Sequence, residues 1–172
     1  SYCVESERNM IMYEAMLRLS TRYIDQQLGK SSDPEVWIEA YLQTVSNAMG
    51  KRAIDPYAVI GGKIVAANPW DGDESYDIAG AEWYQKALEA DGEIIYTDGY
   101  QDAITGHTVI TIAQEGETEG NVVAFDIFPE QFRMAGRSDS LPEGSYYFLC
   151  DSTGTLLYAD TDLTVSGEAL QE

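Results

Sequence analysis

Histidine occurs once and cysteine twice in these 172 residues. The two thiols, Cys3 and Cys150, form no CxxC and have no histidine close by in sequence, which argues against zinc binding, haem attachment and thiol redox chemistry. They either make one disulfide, if the N-terminus packs beside the segment around 150, or stay separate as partly buried thiols. Basic residues are scarce as well. Ten Lys and Arg face thirty Asp and Glu, a formal net charge of −20, and such a field repels phosphate backbones and anionic lipid. Nucleic acid is therefore not an expected partner. The acids are dispersed along the chain, as in a solvated surface, and their field also attracts cationic ligands. No run approaches the roughly 20 apolar residues of a membrane helix, and no charged-then-apolar leader is present. The chain opens on Ser1 without an initiator Met. It is expected to be a soluble piece of a longer protein, anchored to a membrane, if at all, through flanking segments.

What is abundant is tyrosine, with 12 copies against 4 Phe, in a chain that is 44% hydrophobic and 11% aromatic. That composition folds, and a phenol suits a polar pocket or a strand with one wet face. From Val4 to about Leu28 apolar residues recur at helical spacing (Ile11, Met12, Met16, Leu19, Tyr23, Ile24, Leu28), so a long amphipathic helix is predicted. Gly29 suits its C-cap. Asp33 and Pro34 suit the start of a second helix to about Met49, with Val36, Trp37, Ala40, Tyr41 and Val45 as its inward face.

After Gly50 the texture becomes extended. "PYAVI", Gly61-Gly62 and "KIVAA" predict a β-hairpin, "NPWDGDESYD" a loop, and Ala81 to Ala90 a short helix ended by Asp91-Gly92. Three strands follow in "EIIYTDGY", "HTVITIAQE" and "NVVAFDIF". The order describes an α+β domain, an antiparallel sheet with helices, in the shape of a PAS-like fold. "PEQFRMAGRSDSLPEG" is a connector with one helical turn around Gln131 to Met134. "SYYFLCDSTGTLLYADTDL" then reads as a second hairpin, as though a second copy of the fold began. Three units are expected: a helical stalk over 1–50, a PAS-like domain over 51–130 and a partial second unit over 131–172.

Between Tyr76 and Ala113 rings and acids crowd together. Trp83 and Tyr84 on a short helix serve equally as a plug for the sheet or as a pocket wall. Asp126 stands mid-strand among apolar residues and needs a partner: a backbone group, a tyrosine hydroxyl or a ligand cation. Asp102 sits in a turn-rich stretch where an acid commonly caps or is solvated. His107, the lone histidine, reads as a surface residue. "GKIVAANPW" lacks the spacing of a phosphate-binding loop and "DGDESYD" the acids of an EF-hand. No group offers a nucleophile, acid or base assignment, so no enzyme, metal or cofactor is expected.

The runs "WYQKALEADGEIIYTDGYQDAITGHTVITIA", "GNVVAFDI" and "YYFLCDSTGTLLYA", from about 50 to 160, resemble the Cache superfamily, specifically the double-Cache extracytoplasmic sensor domains of bacterial receptors. The resemblance implies a long helix rising from one transmembrane segment. It also implies a membrane-distal PAS-like domain that binds a small ligand, and a membrane-proximal unit that returns the signal. Members resembling amino-acid sensors carry Y-x4-R-x-W-Y, then Y-x-D, then a late Asp. Tyr76, Trp83 and Tyr84 keep that spacing, Tyr100 and Asp102 supply the Y-x-D, and Asp126 the late acid, with Tyr96 between them on the same wall. The Arg position is Ala81. A guanidinium there would hold a ligand carboxylate through two charge-assisted bonds worth ~1.5–3 kcal/mol each. What remains are acids and ring faces suited to an ammonium, so the pattern resembles the amine-sensing members more. The expected partner is a small amine or other small metabolite, with homodimerisation through the N-terminal helix. The alternative is a ligand-free dimerisation or spacer module.

Overall fold

The computed structural model describes residues 2–51, 53–97, 100–101, 108–128, 147–150 and 156–160, with side chains described within 10–51, 53–97 and 108–128. Helix α1 (Tyr2–Leu28) and helix α2 (Pro34–Met49) lead into strands β1 (Ile54–Ile60) and β2 (Lys63–Ala66). A 3-10 turn at Asp73–Ser75 and the short helix α3 (Glu82–Glu89) come next. Strands β3 (Ile95–Tyr96), β4 (Tyr100–Gln101), β5 (Thr108–Glu115) and β6 (Val122–Ile127) follow, and then the hairpin β7 (Tyr147–Cys150) and β8 (Leu156–Asp160). The fold is α+β. Among the described residues no helix is long and apolar enough to cross a membrane.

The main sheet runs β2-β1-β6-β5-β3, with β4 also paired to β5, and every pairing is antiparallel. Gly61 and Gly62, at φ 59° and 81°, make the β1–β2 turn in the left-handed region that glycine enters freely. The strand predicted over "EIIYTDGY" is present as the two short pieces β3 and β4. Thr97 prolongs β3 by donating its N–H to the Thr111 carbonyl at 2.9 Å and accepting the Thr111 N–H on Oγ1 at 3.2 Å. The second hairpin forms as expected, β7 against β8, and β7 lies beside α1. The connector over 129–146 and the side chains of Cys3 and Cys150 lie outside what is described.

Side chains alternate across each strand, so the sheet has two different faces. Ile54, Ala58, Ile60, Ile110, Ile112, Val123, Phe125 and Ile127 point to α1 and α2 and join Leu17, Ile24, Ile38 and Leu42 in the larger core. Val59, Ala113, Val122 and Ala124 point the other way, under Trp83 and Ala87 of α3.

Both helices bury faces that overlap the predicted ones only in part: Ile24 and Val45 are buried and Met16, Leu28, Trp37 and Tyr41 pack against the core, but the stripes are turned. In α1 the inward stripe is Met10, Tyr13, Leu17, Ser20, Thr21 and Ile24, whereas Ile11, Met12, Leu19 and Tyr23 are exposed. Two buried hydroxyls make this possible: Ser20 and Thr21 donate to the carbonyls of Met16 at 2.8 Å and Leu17 at 2.9 Å, which satisfies them inside the helix. In α2 the stripe is Ile38, Leu42, Val45 and Ser46, with Val36 and Ala40 exposed and Trp37 and Tyr41 at its margin. Asp33 occupies the N-cap position before Pro34 but makes no capping bond. Its own N–H goes instead to Ser31 Oγ at 3.2 Å.

Candidate functional site

Asp126 lies on β6 between Asp55 of β1 and Thr111 of β5, its direct register partners. All three stand on the α3 side of the sheet by strand alternation. Two hydroxyls donate to Asp126 Oδ1, Tyr57 Oη at 2.7 Å and Thr111 Oγ1 at 2.7 Å, and Thr111 is fully buried. A mid-strand acid among apolar neighbours thus has the hydroxyl partners that burial demands. Asp55 accepts from Asn68 Nδ2 at 2.9 Å. Two carboxylates opposite one another on an antiparallel pair repel. Their hydroxyl and amide donors offset part of that repulsion.

The wall beside this layer is aromatic. Tyr57 meets Trp83 edge-on, with centroids 5.2 Å apart at 78°, and Trp83 Nε1 donates to Tyr76 Oη at 3.1 Å. Trp83 is 3% exposed and sits in the α3-side core, where it plugs the sheet. The loop between Asn68 and Tyr76 is fastened at both ends, by Asn68 to Asp55 and by Tyr76 to Trp83. Within it the half-exposed Trp70 ring lies over Gly72, where any Cβ would collide with it.

Tyr84 shares α3 with Trp83, and their rings meet edge-on at 5.8 Å. Its hydroxyl points elsewhere, donating to the Gly120 carbonyl at 3.0 Å in the β5–β6 turn. It lines a cleft of about 850 Å³ with Leu88, Asp91, Glu115 and Glu119. Burial, and then the charge of Glu115, pushes the Tyr84 phenol pKa up. Tyr96 is not on the Asp126 face: alternation sends Ile95 to the α3 side and packs Tyr96 against the helix-covered core. Tyr100 pairs with Val109 at the sheet edge. Its side chain, Asp102 and His107 lie outside the described residues. Ala81, where the resemblance expects arginine, is the extended N-cap of α3 and packs against the Trp83 cluster.

The structure brings together Tyr76, Trp83 and Asp126 and adds Tyr57, Thr111, Asp55 and Asn68, which sequence reasoning passed over. Thr111 carried a faint signal, a hydroxyl amid "VITIA". Tyr57 carried none, because only the β1–β6 pairing brings it to a residue 69 positions away. Among the described residues no group of three or more His, Cys, Asp or Glu is placed to hold a metal ion. The arrangement sets a carboxylate held by two hydroxyls beside the rings of Tyr57 and Trp83.

No family model matches the chain. The methyl-accepting chemotaxis protein McpB of Bacillus subtilis is 38% identical over 82 residues, which cover 48% of this chain and 12% of that protein. McpC of the same organism is 26% identical over 87 residues, 49% of this chain and 13% of its own length. The match therefore spans only a small part of these relatives. Among solved structures, the ligand-binding domain of the Pseudomonas aeruginosa amino acid chemoreceptor PctC, in complex with GABA, superposes with a TM-score of 0.64 at 23% identity, over 91% of this chain and 72% of that one. The ligand-binding domain of the Campylobacter jejuni chemoreceptor Tlp3 with 4-methylisoleucine gives 0.61 at 18% identity, over 92% and 66%. That of the Pseudomonas fluorescens chemoreceptor CtaA with L-serine gives 0.60 at 21%, over 97% and 70%. The chain has the fold of these chemoreceptor ligand-binding domains.

Proposed function

We propose that this chain is the extracytoplasmic sensing part of a bacterial transmembrane receptor, a non-enzymatic module that binds a small amine or another small metabolite and passes the change through α1. The observation that carries this is Asp126, its Oδ1 held by Tyr57 and Thr111 beside the Trp83–Tyr76 wall. An ammonium placed there meets a carboxylate and ring faces together. GABA, L-serine and 4-methylisoleucine, bound by the neighbours, each pair an ammonium with a carboxylate. Ala81 lacks the group that would clamp the carboxylate, which favours a ligand with a cationic end and no carboxylate. Tyr100 and Asp102 complete the wall in this proposal, with residues 51–130 as the membrane-distal unit and 131–172 as part of the membrane-proximal one. The ligand acts through its differential affinity for two arrangements of the domain.

Calorimetric titration with n-butylamine, 1,4-diaminobutane, GABA and a panel of amino acids tests this. At least one amine should bind, with Asp126→Ala removing the heat while the far-ultraviolet dichroism is kept. A blank across the panel for the folded wild type would overturn it.

A second reading, a dimerising spacer, is favoured by one observation. Ile11 and Leu19, exposed by 63% and 59%, lie on a side of α1 away from the core. Sedimentation equilibrium should show a dimer that Ile11→Glu with Leu19→Glu weakens. A monomer at all concentrations removes this reading.

A further inference from the structure

We infer that the turn over 116–121, between β5 and β6, is the joint through which the ligand wall and α1 constrain each other, with Asp25 and Tyr84 as its two positioning residues. The inference rests on the sensing proposal for its purpose, but its geometry stands apart from any ligand.

The turn is closed on itself: Gly116 N–H donates to the Asn121 carbonyl at 2.8 Å, and Gly120 N–H to Glu115 Oε2 at 3.3 Å. Three other elements then reach into it. From α1, Asp25 Oδ2 accepts the Glu117 N–H at 3.1 Å. The same carboxylate fills the space that a Cβ on Gly116 would need, so glycine is what lets α1 approach this closely. From α3, the Tyr84 hydroxyl donates to the Gly120 carbonyl at 3.0 Å. From the β1–β2 turn, Gly61 N–H donates to Asn121 Oδ1 at 3.1 Å.

One of these reaches and the two strands that the turn joins lead back to the proposed site. Tyr84 adjoins Trp83, which meets Tyr57, which holds Asp126. Thr111 and Asp126 stand on the two strands that the turn joins. A displacement of Trp83 or Asp126 therefore arrives at the turn by α3 and by the β5–β6 ladder, and leaves it through Asp25 into α1. Coupling of this kind is reciprocal: whatever α1 does to the turn, the turn returns to the wall. It is established by measured coupling and not by a chain of contacts.

Amide hydrogen exchange followed by NMR on the whole chain, without ligand, is the test. Tyr84→Phe removes one hydroxyl that does not touch α1. It should speed exchange of the Glu117 amide and of the last-turn amides of α1 by about fivefold or more over the rest of the chain. Asp25→Ala should in return speed the Gln85 amide, which bonds to Ala81 in the first turn of α3. Asp25→Asn, which keeps an acceptor for Glu117, should leave both within twofold. Acceleration confined to Gly120 and Asn121 in Tyr84→Phe, or equal across all amides, would overturn the joint. An amine panel that is blank while the coupling persists removes the ligand proposal and keeps the joint. An amine that binds while the coupling is missing does the reverse.

Discussion

One sheet here carries two unlike faces. Under α1 and α2 its core residues are apolar, with Ile54, Ile110, Ile112, Phe125 and Ile127 all fully buried. Under α3 the same strands present Asp55, Tyr57, Thr111 and Asp126, and the buried apolar residues are smaller: Val59, Ala113, Val122 and Ala124. The helix side spends its residues on burial, at about 25 cal/mol per Å² of apolar area removed from water. The α3 side gives up part of that area and holds polar groups in fixed positions. A sheet stabilised from one side can therefore carry a carboxylate on the other.

The strongest way to break the contrast is Phe125→Ala. Phe125 neighbours Asp126 on β6 but points to the helices, so truncation should cost about 3–5 kcal/mol in urea unfolding. Asp126→Asn, one residue along, keeps the shape of the side chain and lets both hydroxyls still donate to its amide oxygen. Its loss of stability should be far smaller and its loss of amine binding far larger. Similar unfolding curves for the two variants would erase the distinction between the faces.

That division was partly legible in the sequence. The α+β order, the Gly-Gly hairpin and the need of Asp126 for a partner all followed from local pattern. The buried faces of α1 and α2 followed only in part. Apolar residues lie on two sides of α1, and Ser20 and Thr21 enter the core because their hydroxyls bond back to the helix, which no hydrophobicity pattern reveals. Tyr96 was grouped with the site because it lies between site residues in sequence, but the two-residue alternation of β3 turns it to the other face. Tyr57 and Asn68 reach the site by strand pairing, long-range information that spacing does not carry.

Ala81→Arg sharpens the comparison from the α3 side. A guanidinium at the N-cap of α3, on the flank of the Trp83 cluster, restores the carboxylate clamp that the resemblance expects. Affinity for GABA or L-serine should rise by about tenfold or more, the ~1.5–3 kcal/mol of a charge-assisted hydrogen bond, while n-butylamine gains nothing. Titration of both ligands on both proteins gives the ratio. An unchanged ratio would mean that Ala81 does not face the ligand.

Tyr57→Phe is gentler. It removes one of the two hydroxyls on Asp126 Oδ1 and keeps the ring against Trp83. The expected cost in urea unfolding is about 1 kcal/mol, the usual net worth of such a bond. Amine affinity should fall severalfold as the carboxylate loses part of its hold. A binding loss without any stability change would assign Tyr57 to the ligand and not to Asp126.

The smallest effect concerns where α1 meets the sheet. The pKa of Asp25 is raised from its ordinary value by burial above all; the Glu117 N–H pulls it down by less, and the Glu117 charge adds a still smaller upward push. An acid with a raised folded pKa binds more protons folded than unfolded at pH values between its unfolded and folded pKa. Stability therefore declines as pH climbs through that window, and the decline persists at neutral pH. Asp25→Asn removes the charge and keeps an acceptor for Glu117, so it should be slightly more stable than the wild type at pH 7, by less than about 1 kcal/mol given partial solvent screening. That advantage should vanish as pH falls below the ordinary carboxylate range, where Asp25 is protonated in both states. Paired urea curves at neutral and acidic pH measure it, and an advantage that is constant with pH would mean the carboxylate charge is not what the contact with Glu117 strains against.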